Sequence, residues 1–147
     1  MTQEMHVLGI DIAKHVFHAV GMDERGKIVF RKRLSRHDLI PFLAKLPPVL
    51  IGLEACGGAH DWAQRFRAHG HEVKLMAPQF VKPYIKSNKN DMRDAEGIAE
   101  AVTRPTMRFV PIKDVAQQDL QALHRVRDRL MCARTALVHE VHGLLHA

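Results

Sequence analysis

The chain has 147 residues, enough for one domain, and 46% of them are apolar, as in an ordinary globular protein rather than a disordered or fibrous one. No stretch approaches the roughly 18 uninterrupted apolar residues of a membrane span, and Met1-Thr2-Gln3-Glu4-Met5 lacks the basic and apolar regions of a signal peptide. The net charge of +6 favours a polyanionic partner, since Lys and Arg that neutralise phosphates release counterions. Cys56 and Cys132 make neither a disulfide framework nor a zinc site and fit a reducing cytoplasm.

Residues 6–13 predict a first strand, 15–22 a second and 27–34 a third, with Asp23-Glu24-Arg25-Gly26 as turn chemistry between the last two. Strands joined this closely imply an antiparallel meander. Ser35-Arg36-His37-Asp38 resembles a capping box with Asp in place of Glu, so a helix is expected from there to about residue 45, closed by Pro47-Pro48. Residues 49–54 form a continuous apolar run ending in Glu54, which suits a central strand covered on both sides. A loop of small residues follows, then a helix over 60–69 closed by Gly70, and a strand over 71–77 broken by Pro78.

Residues 79–85 read as a short helical or irregular piece. Asn90 is a good N-cap for a helix over 91–102. Residues 104–113, with two prolines, read as a linker, and 114–146 as one long helix capped by Asp114. Its apolar positions, Leu120, Leu123, Val126, Leu130, Ala133, Leu137, Val141 and Leu144, fall close to a heptad seam, which predicts a projecting helix that pairs with another copy. The predicted organisation is a mixed α/β sheet flanked by helices over residues 1–112, the ribonuclease H-like arrangement, and a coiled-coil segment over 113–147.

One acid stands out against this pattern. Asp11 lies between Ile10 and Ile12 just after Gly9, although Asp is depleted in strands. Glu54 ends the buried strand, and Asp91 and Asp94 lie three apart, on one helix face. If the Asp11 and Glu54 strands are neighbours, their acids share one sheet edge and the later helix can add two more. Four carboxylates in one cleft repel each other without cations. Hard oxygen donors suit two Mg2+ or Mn2+ ions, which can activate a water or hydroxyl and stabilise the leaving oxygen of a phosphodiester. Taken singly, each acid also has an ordinary role: a capped turn for Asp11, a solvated strand end for Glu54, the helix macrodipole for Asp91, a surface ion pair for Asp94.

The segments Gly9-Ile10-Asp11-Ile12-Ala13-Lys14, Leu53-Glu54-Ala55-Cys56-Gly57-Gly58-Ala59-His60 and Asn88-Lys89-Asn90-Asp91-Met92-Arg93-Asp94-Ala95 resemble, in the same order, the N-terminal domain of the DEDD transposases of the insertion-sequence-110 type. That family includes Piv-like DNA invertases and bridge-RNA-guided recombinases. The resemblance implies a RuvC-like fold, DNA recombination in the bacterial cytoplasm, an RNA guide in at least part of the family, and a catalytic, metal-binding tetrad at Asp11, Glu54, Asp91 and Asp94. It also brings a departure. The family carries a second domain with a serine nucleophile, and the only serines here, Ser35 and Ser87, lie in no matching motif. Complete strand exchange by this chain alone is therefore not expected.

Lys82, Lys86 and Lys89 lead up to the Asp91 helix and, with Arg93, are expected to contact phosphates. Arg31 to Arg33 read more simply as solvated surface. His60 matches the family pattern as an accessory residue able to orient a carboxylate or a water. His15 and His18, three apart in a strand, face opposite sides and cannot chelate together. Cys56 has no base placed beside it, and Trp62 and Phe66, four apart, read as core. Two other readings compete with a metal-dependent transposase domain. One is a nucleotide-binding fragment of the actin and sugar-kinase type, which also opens on a Gly-x-Asp strand. The other is a non-catalytic nucleic-acid-binding module built on the long helix.

Overall fold

The computed structural model describes residues 4–86 and 90–147, and its contacts divide the chain into two compact units, 1–112 and 113–147. In the first unit, β1 (Val7–Ile12), β2 (Val16–Met22) and β3 (Ile28–Ser35) form the expected antiparallel meander. Gly26 makes the turn into β3 with a φ of 75°. Next come α1 (Leu39–Leu43), β4 (Leu50–Glu54), α2 (Ala59–Ala68), β5 (Glu72–Met76), α3 (Pro78–Val81) with a 3-10 turn at Lys82–Tyr84, α4 (Asp91–Val102) and β6 (Phe109–Val110). The sheet order is β3-β2-β1-β4-β5-β6, with β4 parallel to both β1 and β5 and β6 antiparallel to β5.

Alternation along β1 divides the core into two faces. Leu8 and Ile10 pack with Leu39, Leu43, Trp62 and Phe66 under α1 and α2. Val7 packs with Ile98, Ala99 and Val102 of α4 on the other side. Trp62 and Phe66 are core residues, and the Phe17 ring meets Trp62 edge-on with 5.1 Å between centroids.

Two expectations differ from the structure. The helix predicted from the Ser35 capping box starts later, at Leu39. Ser35 still pairs with Val16 at the end of β3, so its Oγ accepts from the Asp38 N–H at 3.2 Å across a turn rather than capping a helix. The linker over 104–113 contains β6, whose two residues pair with Leu75 and Met76. So short a strand carries no periodicity and is specified by the β5 edge.

The second unit is α5 (Val115–Leu145). Asp114 and Gln117 close a reciprocal capping box at its start, with Gln117 N–H to Asp114 Oδ1 at 2.7 Å and Asp114 N–H to Gln117 Oε1 at 3.0 Å. Its apolar stripe is exposed, from Leu120 and Leu123 through Leu130 to Leu137 and Leu144. No helix of the described residues is long and apolar enough to cross a membrane.

Candidate metal centre

Two glycines set the geometry of the site. Gly9 of β1 pairs with Gly52 of β4. A Cβ on Gly9 would collide with the Ala95 carbonyl oxygen and lie 2.5 Å from the Ala99 nitrogen. One on Gly52 would lie 2.9 Å from Val102 Cβ. The α4 backbone therefore rests directly on the sheet at Gly9, and its Val102 and Ile98 side chains fill the space over Gly52. Asp11 and Glu54 each stand two residues further along, so by the period of a strand they face the same side as the glycines. Continuing the parallel register past Ile10 and Leu53, one step brings Asp11 level with Glu54.

Helix α4 runs back across these strands with its N-terminus over their carboxyl ends. Asn90 caps that end, its Oδ1 accepting from the Met92 N–H at 3.1 Å. Asp91 and Asp94 occupy the first turn. Ligand oxygens of Asp11, Asp91 and Asp94 all lie within 4.8 Å of one another. Glu54 does not complete such a group among the described residues, yet its charge acts on Asp11 and that of Asp94 acts on it.

Burial, then the charges of Asp94, Asp91 and Glu54, push the Asp11 carboxyl up to about 6 from its usual 3.8. Burial and Asp94 also raise Glu54, while the nearby Lys82 ammonium draws it back down. These are the marks of a crowded anionic cluster in need of positive charge. A set of hard carboxylate oxygens, contributed by a rigid strand and a helix N-terminus, fits a divalent cation of the Mg2+ or Mn2+ class.

The other candidate residues are spread more widely. Lys82 is exposed and stands on the Glu54 side. Lys86 does not flank the acids: its Nζ is 4.0 Å from Glu100 Oε2, in the last turn of α4, at the far end of the helix from Asp94. Lys86 and Arg93 line one open cavity together with Arg25, Arg31 and Tyr84. Lys89 lies outside the described residues. His60 is half-buried in the first turn of α2 and does not join the converging carboxylates. The Cys56 thiol is pushed up by burial and by Glu54 and Asp11, which disfavours a thiolate nucleophile. Arg31 is more than solvated surface, because its Nε donates to Glu96 Oε1 at 2.6 Å and ties β3 to α4.

One residue at the cluster was weighed from the sequence only as half of a histidine pair. His18 of β2 is the register partner of Asp11. Its Nδ1 lies 4.0 Å from Asp91 Oδ2 and its side chain is only 12% exposed. Arg33 is in turn the register partner of His18. Lys14, His15, His18 and Arg33 line a shallow groove beside Asp91. Asking which residue stands opposite Asp11 in the next strand would have found His18. Asking whether two histidines chelate each other could not.

Comparisons with known proteins identify the family and the fold. A family model described as transposase, the DEDD type of insertion sequence 110, matches residues 8–147. The chain is 53% identical over 138 residues to a probable family 20 transposase of Pseudomonas aeruginosa, covering 94% of this chain and 41% of that protein. It is 49% identical over 143 residues to the transposase for insertion sequence element IS1111A of Coxiella burnetii, covering 97% and 39%. Against the transposase for insertion sequence element IS1328 of Yersinia enterocolitica, identity is 46% over 139 residues, covering 95% and 42%. The chain thus spans about two fifths of the length of these relatives. Among solved structures, Thermus thermophilus RuvC in complex with Holliday junction substrate superposes with a TM-score of 0.53 at 13% identity, over 72% of this chain and 99% of that one. A second Thermus thermophilus RuvC structure gives 0.51, also at 13% identity, over 71% and 99%. The fold is RuvC-like, as the order of elements and the motifs imply, and the chain belongs to the DEDD transposase family of the insertion-sequence-110 type.

Proposed function

We propose that this chain is the N-terminal catalytic domain of a DNA transposase and that Asp11, Glu54, Asp91 and Asp94 hold divalent cations, Mg2+ or Mn2+, for phosphodiester cleavage and strand transfer. The observation that carries this reading is the convergence of Asp11, Asp91 and Asp94, with ligand atoms within 4.8 Å of one another, in a chain of this family. When bound, the cations would activate the attacking water or hydroxyl and stabilise the leaving oxygen.

The chain's own residues do the rest. β1 presents Asp11 from a rigid strand, and the first turn of α4 supplies two carboxylates on one face. The positive end of the α4 dipole offsets part of their repulsion. Lys82 beside Glu54, and Lys14 and Arg33 beside Asp91, offer cations to a phosphate backbone on either side of the acids. A DNA substrate follows from the family and from the net charge of +6. A guide RNA and a place in the bacterial cytoplasm belong to the same reading. Family membership stands against the nucleotide-binding alternative.

Calorimetric titration of Mn2+ into the chain should show saturable binding, weakened about tenfold or more in Glu54→Gln, taking the loss seen at residues that support a metal as a floor. A silent titration of the wild-type chain, together with no Mn2+-dependent nicking of branched DNA, would overturn the reading.

The exposed apolar stripe of α5 supports self-association. Leu120, Leu123, Leu130, Leu137 and Leu144 are each more than half exposed within the chain and recur at the spacing of a coiled-coil seam. Sedimentation equilibrium should therefore report a homo-oligomer that Leu130→Asp returns to monomer. A wild-type monomer at micromolar concentration would remove this part of the proposal.

A further inference from the structure

The Nδ1 atom of His18 is buried and makes no hydrogen bond among the described residues. Buried polar atoms in native proteins nearly always have partners, so one that lacks a partner asks for an explanation. Asp91 Oδ2 lies 4.0 Å from this nitrogen. That is too long for a hydrogen bond but close enough for a small rotation to close. The two side chains differ in freedom. His18 is held in β2 between Asp11 and Arg33 in the sheet register and is 12% exposed, whereas the Asp91 side chain is 66% exposed. The ring is the fixed partner and the carboxylate the movable one.

We propose that His18 is a positioning residue of the acid cluster. Its Nδ1–H donates to one oxygen of the Asp91 carboxylate and turns the other oxygen towards Asp11 and Asp94. The inference rests on the cation-binding reading of the site. It adds an imidazole N–H donor on β2 as the group that gives the exposed Asp91 a single orientation. Partners of this kind orient a ligating carboxylate, and their loss typically weakens metal affinity about 10–100-fold. A protonated Nδ1 has no lone pair to offer a cation, so through this atom His18 acts on Asp91 rather than as a ligand.

Two measurements on the 147-residue chain test this. The first is Mn2+ affinity by calorimetry. His18→Leu, which removes the donor, should weaken binding by roughly 10–100-fold. His18→Asn, whose amide N–H stands near the place of Nδ1–H, should restore it to within about threefold of wild type by keeping the donor. The second needs no variant. Nitrogen-15 NMR of the His18 ring at alkaline pH, where an imidazole is neutral, should show the proton on Nδ1 both with and without Mg2+. His18→Leu binding as tightly as wild type, His18→Asn binding as weakly as His18→Leu, or a ring with a bare Nδ1 would each overturn the proposal. Absence of Mn2+ binding by the wild-type chain would instead sink the cation reading itself and this inference with it.

Discussion

Gly9→Ala is expected to lower the thermal unfolding midpoint of the first unit by about 10–15 °C, and Gly9→Val by more. The added Cβ meets backbone, the Ala95 carbonyl and the Ala99 nitrogen at 2.5 Å, and backbone in a helix cannot step aside as a side-chain tip does. Overpacking of this kind costs about 3 kcal/mol, the upper end of the usual range. In a domain of this size each kcal/mol moves the midpoint by about 4 °C. The only relief is for α4 to lift from the sheet, which carries Asp91 and Asp94 away from Asp11. Mn2+ binding should therefore be lost even at temperatures where the variant remains folded. Gly26→Ala is the control. Gly26 has a φ of 75° but nothing within 4 Å of its Cβ position, so the substitution should cost only about 1 kcal/mol of backbone strain and leave metal binding intact. Circular dichroism melts and calorimetry on both variants check this. Equal destabilisation by the two would show that the close approach at Gly9 is not what holds α4 down.

Asp11→Asn should act in opposite directions on stability and function. In the metal-free protein the Asp11 carboxyl, pushed up to about 6, is protonated in folded and unfolded chains alike below about pH 4 and there costs nothing. Between about pH 4 and 6 the unfolded chain ionises first, so stability falls as pH rises, and above about 6 the loss is complete. The full shift corresponds to about 3 kcal/mol. Solvent screening of this half-exposed group reduces that to about 1 kcal/mol.

Asp11→Asn removes this penalty. The metal-free variant should be about 1 kcal/mol more stable than wild type at neutral pH, with a flatter stability profile between about pH 4 and 6. Urea unfolding across that window measures both. Function should move the other way. Mn2+ affinity is expected to fall by at least about 100-fold, beyond the usual loss of an outer partner. Phosphodiester cleavage should fall by about a thousandfold, roughly 4 kcal/mol. A variant less stable than wild type, or one that keeps the metal, would mean that Asp11 does not sit at the centre of the cluster.

How much of this was legible in the sequence depended on how local each signal was. The α4 boundaries could be read residue by residue, because Asn90 caps the helix through its own side chain. The meander could be read from its turn chemistry. Helix α1 and strand β6 could not, since Ser35 is held extended by pairing with Val16 and β6 exists only because β5 offers it an edge. Asp11 stood out as a chemically odd residue, the joint placement of the four acids suggested one cluster, and the family resemblance implied the same set. The convergence of Asp11, Asp91 and Asp94 depends on α4 lying over Gly9 and Gly52, which no spacing reveals. The place of His18 beside them was missed for the same reason. Its importance comes from the strand register that sets it opposite Asp11, and a register is fixed only when the sheet assembles. Lys86 was misplaced because nearness in sequence to Asp91 was taken for nearness in space.

The seating of α4 on two glycines also bears on how the chain is made. Asp11 and Glu54 leave the ribosome early, on strands that must find each other in parallel, a slow and non-local pairing. Asp91 and Asp94 come later, and they reach the early acids only after the whole of α4, through Val102, has emerged and docked on the sheet. A nascent chain therefore carries scattered acids with ordinary affinities. The cluster comes into being only once the first unit is essentially complete.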